Sequence, residues 1–220
     1  MTQPTSDAGP NRPPKLEIFV DGTNFHLAQT YNGVHFRVDL NQLATRLSRG
    51  FHFVKLNYYT SPLPDARSEA YRRQQIFFEQ LRKSSRINLV LGRNEPLFTD
   101  GRKHHVEKET DVNLAVDMVV GAHRGRYDAA MLVAGDTDYV RAVTAVQDEG
   151  KKVIWCHLPA QKHSDQLAQV CDDDRTGREV PPHLPIEPAP LTKLLSVPLC
   201  PCVRLLWAEP ERPSVVQTAV

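Results

Sequence analysis

With 220 residues, 40% hydrophobic side chains and a formal net charge of +1, the chain has material for one core plus appendages. The near-neutral charge excludes a globally basic nucleic-acid binder. The absence of an apolar N-terminal h-region, and of any apolar run near the ~20 residues that span a bilayer, predicts a soluble, cytoplasmic protein with no membrane contact. The four cysteines, Cys156, Cys171, Cys200 and Cys202, lack both zinc-type pairing and a disulfide pattern, so free thiols in a reducing compartment are expected.

Proline marks the borders: four of the seventeen lie in residues 1–14 and nine in 175–220. A folded unit from Lys15 to Asp174 is therefore expected, between a disordered N-terminal segment, 1–14, and a Pro-rich, disordered tail, 175–220.

Leu16–Val20 reads as the first strand, an apolar run ending in Asp21-Gly22-Thr23-Asn24. A short helix follows over Asn24–Tyr31. Asp39 caps a helix through Leu47. Phe51–Tyr59 reads as a strand, Asp65 as the cap of an amphipathic helix through Lys83, and Ile87–Leu91 as the third strand. Gly92–Lys108 shows no clear period and reads as a loop or hairpin near the site. Thr110 is expected to cap the helix Asp111–His123. Ala129–Ala134 is the fourth strand, followed by a helix over Thr137–Glu149 that Gly150 ends. Lys152–Cys156 is the fifth strand and Ser164–Cys171 the last helix. This strand–helix alternation predicts an α/β fold: a mainly parallel sheet of about five strands, covered on both faces, with right-handed crossovers.

The carboxylates cluster at strand ends, where open α/β sheets place their ligands. Asp21 emerges as the first strand ends, and Asn24 lies one helical turn on, either as a cap or to orient a ligand beside Asp21. Gly135-Asp136-Thr137-Asp138-Tyr139 follows another apolar run. A helix cap needs one carboxylate; the second invites a metal, held directly or through water. Thr137, at the helix start, is placed to donate to a phosphate oxygen. Asp111 lies in a first helical turn, where the helix dipole alone also accounts for it. Asp117 sits among apolar neighbours and needs a partner, structural or metallic. Crowded carboxylates are costly unless a cation neutralises them. Beside them, residues 67–108 carry ten Lys or Arg against five Asp or Glu. Such a stretch, Arg72, Arg73, Arg102, Lys103 and Lys108 included, suits a polyanion track or a solvated face. Phosphate-loop, HExxH and GxSxG motifs are missing.

The ordered motifs VDGTN, KETDVNLAVD, VAGDTDYV and GKKVIW, with Ser164 and Leu167 late, resemble the NYN domain, a PIN-like nuclease fold related to LabA-type bacterial proteins. The resemblance spans residues 15–174 and implies a three-layer α/β/α Rossmannoid domain. It also implies Mg²⁺ or Mn²⁺ as cofactor and cleavage of RNA to 5′-phosphate and 3′-hydroxyl ends. By that resemblance Asp21, Asn24, Asp111, Asp136 and Asp138 are the catalytic positions. The same aspartates, with Asp117, would hold the metal. From the residues themselves, Thr137 at the helix start and Lys108, Arg102 and Lys103 in the basic stretch are expected to contact substrate, Arg102 and Lys103 foremost. Thr137 and Tyr139 replace the family's usual serine and phenylalanine. The expected partner is single-stranded RNA, with a homodimer left open. A haloacid-dehalogenase-type phosphatase shares DGT and GDxxxD motifs. It needs a nucleophilic aspartate where Phe19 stands. The other rival is a non-catalytic RNA- or protein-binding regulatory module that keeps the fold.

Overall fold

The computed structural model describes residues 12–31, 38–99, 102–157 and 164–176. The N-terminal segment up to residue 11 and the tail from residue 177 lie outside the described residues, as do Cys200 and Cys202.

Six parallel strands form one sheet in the order β3-β2-β1-β6-β7-β8. These are β1 (Lys15–Asp21), β2 (His52–Thr60), β3 (Ile87–Leu91), β6 (Ala129–Val133), β7 (Lys152–His157) and β8 (Asp173–Thr176). A separate antiparallel pair, β4 (Arg93–Thr99) and β5 (Arg102–Lys108), is inserted between β3 and β6. The chain builds outward from β1 to β3, then returns to place β6 on the other side of β1. The strand order therefore reverses between β1 and β6, and in such sheets the ligand crevice opens there, at the carboxyl ends.

Helices α1 (Gly22–Tyr31), α2 (Leu40–Leu47), α3 (Glu69–Arg82), α4 (Thr110–His123), α5 (Val140–Asp148) and α6 (Asp165–Val170) complete the domain. Alternation along the strands sorts the core into two halves. Leu16, Ile18 and Val20 of β1, with Met131, Val133, Ile154 and Cys156, pack with Phe25, Leu40, Ala44, Leu47 and Leu81 of α1–α3. Phe19, with Ala130, Leu132, Val153 and Trp155, packs with Leu114, Met118, Val143, Val146 and Leu167 of α4–α6. Both faces are thus covered, which is why the strands read as continuous apolar runs.

Several sequence expectations need correction. The mainly parallel sheet of about five strands is present with one strand more: β8 pairs with β7 from Ile154↔Asp173 to His157↔Thr176 and carries the chain past the border expected at Asp174. Its DDRT sequence has no apolar run to announce it; pairing at a sheet edge makes it a strand. Of the loop and the hairpin expected for Gly92–Lys108, the structure shows the antiparallel β4–β5 pair, so here the second alternative holds. Ser68, not Asp65, caps α3: the Ser68 hydroxyl accepts from the Tyr71 amide, while Asp65 accepts from the Arg67 amide in a local turn. Thr110 lies inside α4 rather than capping it. Its hydroxyl donates to Glu107 Oε1 at 2.7 Å, and the cap position falls to Glu109, which makes no side-chain cap bond. The expected helix over Thr137–Glu149 is a 3-10 turn, Thr137–Tyr139, leading into α5.

Gly22 shows why the chain turns where it does. A Cβ there would lie 2.6 Å from both the Tyr58 ring and the Tyr59 carbonyl oxygen of β2, so only glycine lets α1 start directly after Asp21. The thiols of Cys156 and Cys171 are free, and burial pushes both up to about 12, which leaves them unreactive at neutral pH.

The capping correction is testable. Ser68→Ala should lower stability by about 1 kcal/mol in urea unfolding, the usual worth of a serine cap, and Asp65→Ala by less. The reverse ranking would return the cap to Asp65.

Candidate active site at the carboxyl ends of β1 and β6

The alternation that points Leu16, Ile18 and Val20 toward α1–α3 turns Glu17, Phe19 and Asp21 toward α4 and α5. Asp21 is 2% exposed. Its Oδ1 accepts the Asn24 backbone N–H at 2.9 Å, and its Oδ2 accepts the Asn24 side-chain amide at 3.1 Å and the Tyr139 hydroxyl at 3.0 Å. The same hydroxyl contacts Asp111 Oδ1 at 2.9 Å. One phenolic proton thus faces two carboxylates from different elements, β1 and α4.

Burial raises the Asp21 pKa above the usual carboxylate range. Asp111 adds to the rise, and the bonds from Asn24 and Tyr139 oppose it. Burial, then the two carboxylates, drives the Tyr139 phenol far up, so it stays protonated and serves as a donor. Among the described residues no Lys, Arg or His is ion-paired with Asp21, Asp111, Asp136 or Asp138.

Asn24 also joins the two strand ends: its Oδ1 accepts the Gly135 backbone N–H at 3.2 Å. The neighbouring Ala134 carbonyl accepts the Trp155 indole N–H at 2.7 Å. The loop after β6 is therefore held from both sides before it delivers Asp136. Asp136 Oδ1 accepts the Asp138 backbone N–H at 3.1 Å and caps the 3-10 turn. Asp138 and Thr137 are exposed, and Asp136 is half-buried. The sequence-predicted pair thus splits its work: Asp136 holds the turn with one oxygen, and Asp138 faces solvent.

Asp117 is not brought to this group. Its carboxylate accepts the Tyr59 hydroxyl at 3.0 Å, and its carbonyl accepts from Arg126 at 2.8 Å. Six residues of helix separate it from Asp111, about 9 Å along α4. Asp117 belongs to a deeper cluster with Glu17, which is buried. Arg126 Nη2 lies 3.6 Å from Glu17 Oε2, and the Asn57 amide donates to the same oxygen at 3.4 Å. Burial raises the Glu17 pKa, with Arg126 the main opposing influence.

Arg102, Lys103 and Lys108 are exposed on β5, opposite Thr99, Phe98 and Arg93 respectively. Sequence reasoning missed two contributors. Tyr139 was read only as an aromatic replacement, yet its hydroxyl joins the two carboxylates. Glu107 lies outside every motif the sequence offers. Its Oε2 accepts the Thr23 hydroxyl at 2.6 Å, which ties β5 to the first turn of α1. Neither has a sequence signal, because both depend on partners 28 to 118 positions away.

The residues present suit a hydrated hard cation better than a closed cage. Mg²⁺ keeps several waters and takes one or two carboxylates, which the Asp21–Asp111 pair offers. Among the described residues no group of three or more His, Cys, Asp or Glu is gathered to enclose an ion.

The raised Asp21 pKa has a signed consequence. The folded state holds this proton more tightly than the unfolded chain, so the stability it contributes is present below the ordinary carboxylate range and is lost as pH rises through the raised value. Asp21→Asn, unfolded in urea with chelator, should gain stability relative to the unsubstituted protein as pH goes from about 4 to neutral. A difference constant across that range would contradict it.

Comparison with known proteins bears on the fold and the family. No curated protein matches the chain. A crystal structure of a protein of unknown function from Vibrio parahaemolyticus is similar at 22% identity and a TM-score of 0.57, covering 79% of this chain and 98% of that one. MurG of Acinetobacter baumannii aligns at 10% identity over 75% of this chain and 42% of that one, with a TM-score of 0.37. The first of these supports the fold alone. The NYN domain model matches residues 15–175, the whole six-stranded sheet but its last residue. The acidic end just described falls within that match, and proteins of this kind are nuclease-like, PIN-like domains that act on RNA. The chain belongs to the NYN domain family.

Proposed function

We propose that this chain is a divalent-metal-dependent endoribonuclease whose centre lies at the carboxyl ends of β1 and β6. One observation carries the reading: Asp21 and Asp111 meet at the Tyr139 hydroxyl, at the point where strand order reverses, with no Lys, Arg or His ion-paired to them among the described residues. A carboxylate that is 2% exposed, with no ion-pair partner among the described residues, is expensive to keep ionised. A site built for a cation meets that expense from the ligand.

Asp21 and Asp111 would hold Mg²⁺ or Mn²⁺, with Asp136 and Asp138 completing the shell directly or through water. Such an ion, when bound, supplies Lewis-acid polarisation of a phosphodiester and a low-pKa water. The chain's own residues do the remaining work. Asn24 keeps the two strand ends at a fixed separation. The Tyr139 hydroxyl orients the carboxylate oxygens. The Thr137 hydroxyl, exposed at the start of the 3-10 turn, is available to a phosphate oxygen, and Lys108 to the polyanion backbone. Single-stranded RNA is the proposed substrate, because its bases are free to splay into a groove. In-line displacement would leave a 5′-phosphate and a 3′-hydroxyl. The alternative, a binding module without turnover, draws on the lack of a gathered three-ligand group among the described residues.

Labelled single-stranded RNA incubated with Mn²⁺ or Mg²⁺, with and without chelator, tests the reading. Asp21→Asn and Asp111→Asn should each slow cleavage by about two orders of magnitude or more, several kcal/mol of lost transition-state stabilisation. Asp117→Asn should retain cleavage within about one order of magnitude, since it serves the deeper cluster. Equal trace cleavage by all four proteins would mark a contaminant and leave the binding module.

A further inference from the structure

The β4–β5 pair lies outside the six-stranded sheet, and much of it is bare: Leu97 is 51% and Phe98 71% exposed. Residues directly opposite in an antiparallel pair share a face, so the register divides the arm in two. One face carries Asn94–Glu107, Pro96–His105 and Phe98–Lys103; the other carries Arg93–Lys108, Glu95–Val106, Leu97–His104 and Thr99–Arg102.

The first face is fixed to the acidic centre at its base. Glu107 accepts the hydroxyls of Thr23 at 2.6 Å and Thr110 at 2.7 Å, and the Asn94 amide donates to the Pro62 carbonyl. Thr23 is two residues from Asp21 and Thr110 adjoins Asp111, so this face begins at the two carboxylates. It then runs outward past His105 to Phe98 and Lys103. At about 3.4 Å per strand residue, Lys103 stands roughly 14 Å beyond Glu107.

We propose that the Phe98–Lys103 face is a platform for single-stranded RNA next to the cut site, with one base stacked on the Phe98 ring and a phosphate on the Lys103 ammonium. The inference rests on the ribonuclease reading and adds to it the surface that holds the flanking strand. An exposed aromatic beside a cation is the pairing that single-strand binders use. Charge is complementary too: among the described residues of this face the only acid is Glu107, whose two oxygens are already taken by threonine hydroxyls. A protein partner would seek a continuous apolar patch, but Leu97 and Phe98 project to opposite faces. On the Arg102 face, Arg93 is occupied by Glu95 at 3.2 Å and Glu109 at 2.9 Å, and Lys108, opposite it at the base and three residues from Asp111, serves the cut site rather than the flanking strand.

Anisotropy of a short fluorescein-labelled single-stranded RNA, titrated with protein in chelator so that nothing is cut, tests the platform. Phe98→Ala should weaken binding roughly tenfold, on the scale of one lost base stack. Lys103→Gln should lower the slope of log K against log salt by about 0.7, one single-strand phosphate contact. Arg102→Gln should keep the unsubstituted slope, because the register puts Arg102, expected from the sequence to contact substrate, on the far face. All three side chains are exposed, and an unchanged thermal transition verifies each fold. Equal affinity in Phe98→Ala, or the same slope loss in Arg102→Gln as in Lys103→Gln, overturns the proposal. So does a concentration-dependent dimer that Phe98→Ala dissolves while RNA affinity persists. The two readings fail separately: cleavage by the unsubstituted protein with Phe98→Ala binding unimpaired sinks the platform alone. Phe98-dependent, salt-sensitive binding without metal-dependent cleavage supports the platform as a binding surface and sinks the nuclease.

Discussion

The organisation of this molecule turns on one buried carboxylate. Asp21 closes β1 with its side chain turned to the α4–α5 face and almost no access to water. Its partners are neutral donors, two from Asn24 and one from Tyr139. Neutral donors soften the cost of a buried negative charge without cancelling it. The neighbouring elements are arranged around that deficit: Asn24 reaches on to the β6 loop, Tyr139 reaches on to Asp111, and Gly22 makes the close turn that puts Asn24 in range.

Two acidic tiers occupy the same face of the sheet, and they are finished differently. The deeper tier pairs Glu17 with Arg126 and gives Asp117 the Tyr59 hydroxyl. It is a satisfied polar cluster under α4, and a buried pair of this kind secures geometry rather than supplying chemistry. The upper tier, at the strand ends, has Tyr139 and, among the described residues, no ion-paired base. Helix and strand repeats explain the separation. Four residues of β1 and six of α4 divide the tiers, so each carboxylate on the strand meets its own carboxylate on the helix. The upper tier alone lies where the strand order reverses, which is why the proposed metal belongs there.

The β4–β5 arm is coupled to that tier by unusual backbone. Glu109, between β5 and α4, takes φ of 72°, a left-handed conformation that costs a non-glycine residue of order 1 kcal/mol or more. The turn is held by Arg93 and lets Thr110 enter the helix while its hydroxyl reaches Glu107. Arm, α1 and α4 thereby converge on the same corner as Asp21 and Asp111. A substrate strand lying on the arm, as proposed, would be directed to the carboxylates by strand and helix ends tied to one another through Glu107.

By itself the sequence determined the α/β class, the positions of β1, β2, β3, β6 and β7, and the acidic strand ends. Apolar runs broken by Asp-Gly or Gly-Asp are local signals, and they survive folding because parallel strands are buried on both faces. The family was legible for the same reason, from short motifs in order. Tertiary structure alone decided which carboxylates meet. The resemblance put both Asp111 and Asp117 on the metal, but the course of α4 across β1 brings Asp111 to the Tyr139 hydroxyl that also meets Asp21, and Asp117 to the Tyr59 hydroxyl near Glu17. It likewise decided that DDRT would be an edge strand, that Tyr139 would span two acids, and which arm face Lys103 shares with Phe98. Each depends on a pairing between residues distant in the chain, and such pairings leave no periodicity in a single sequence.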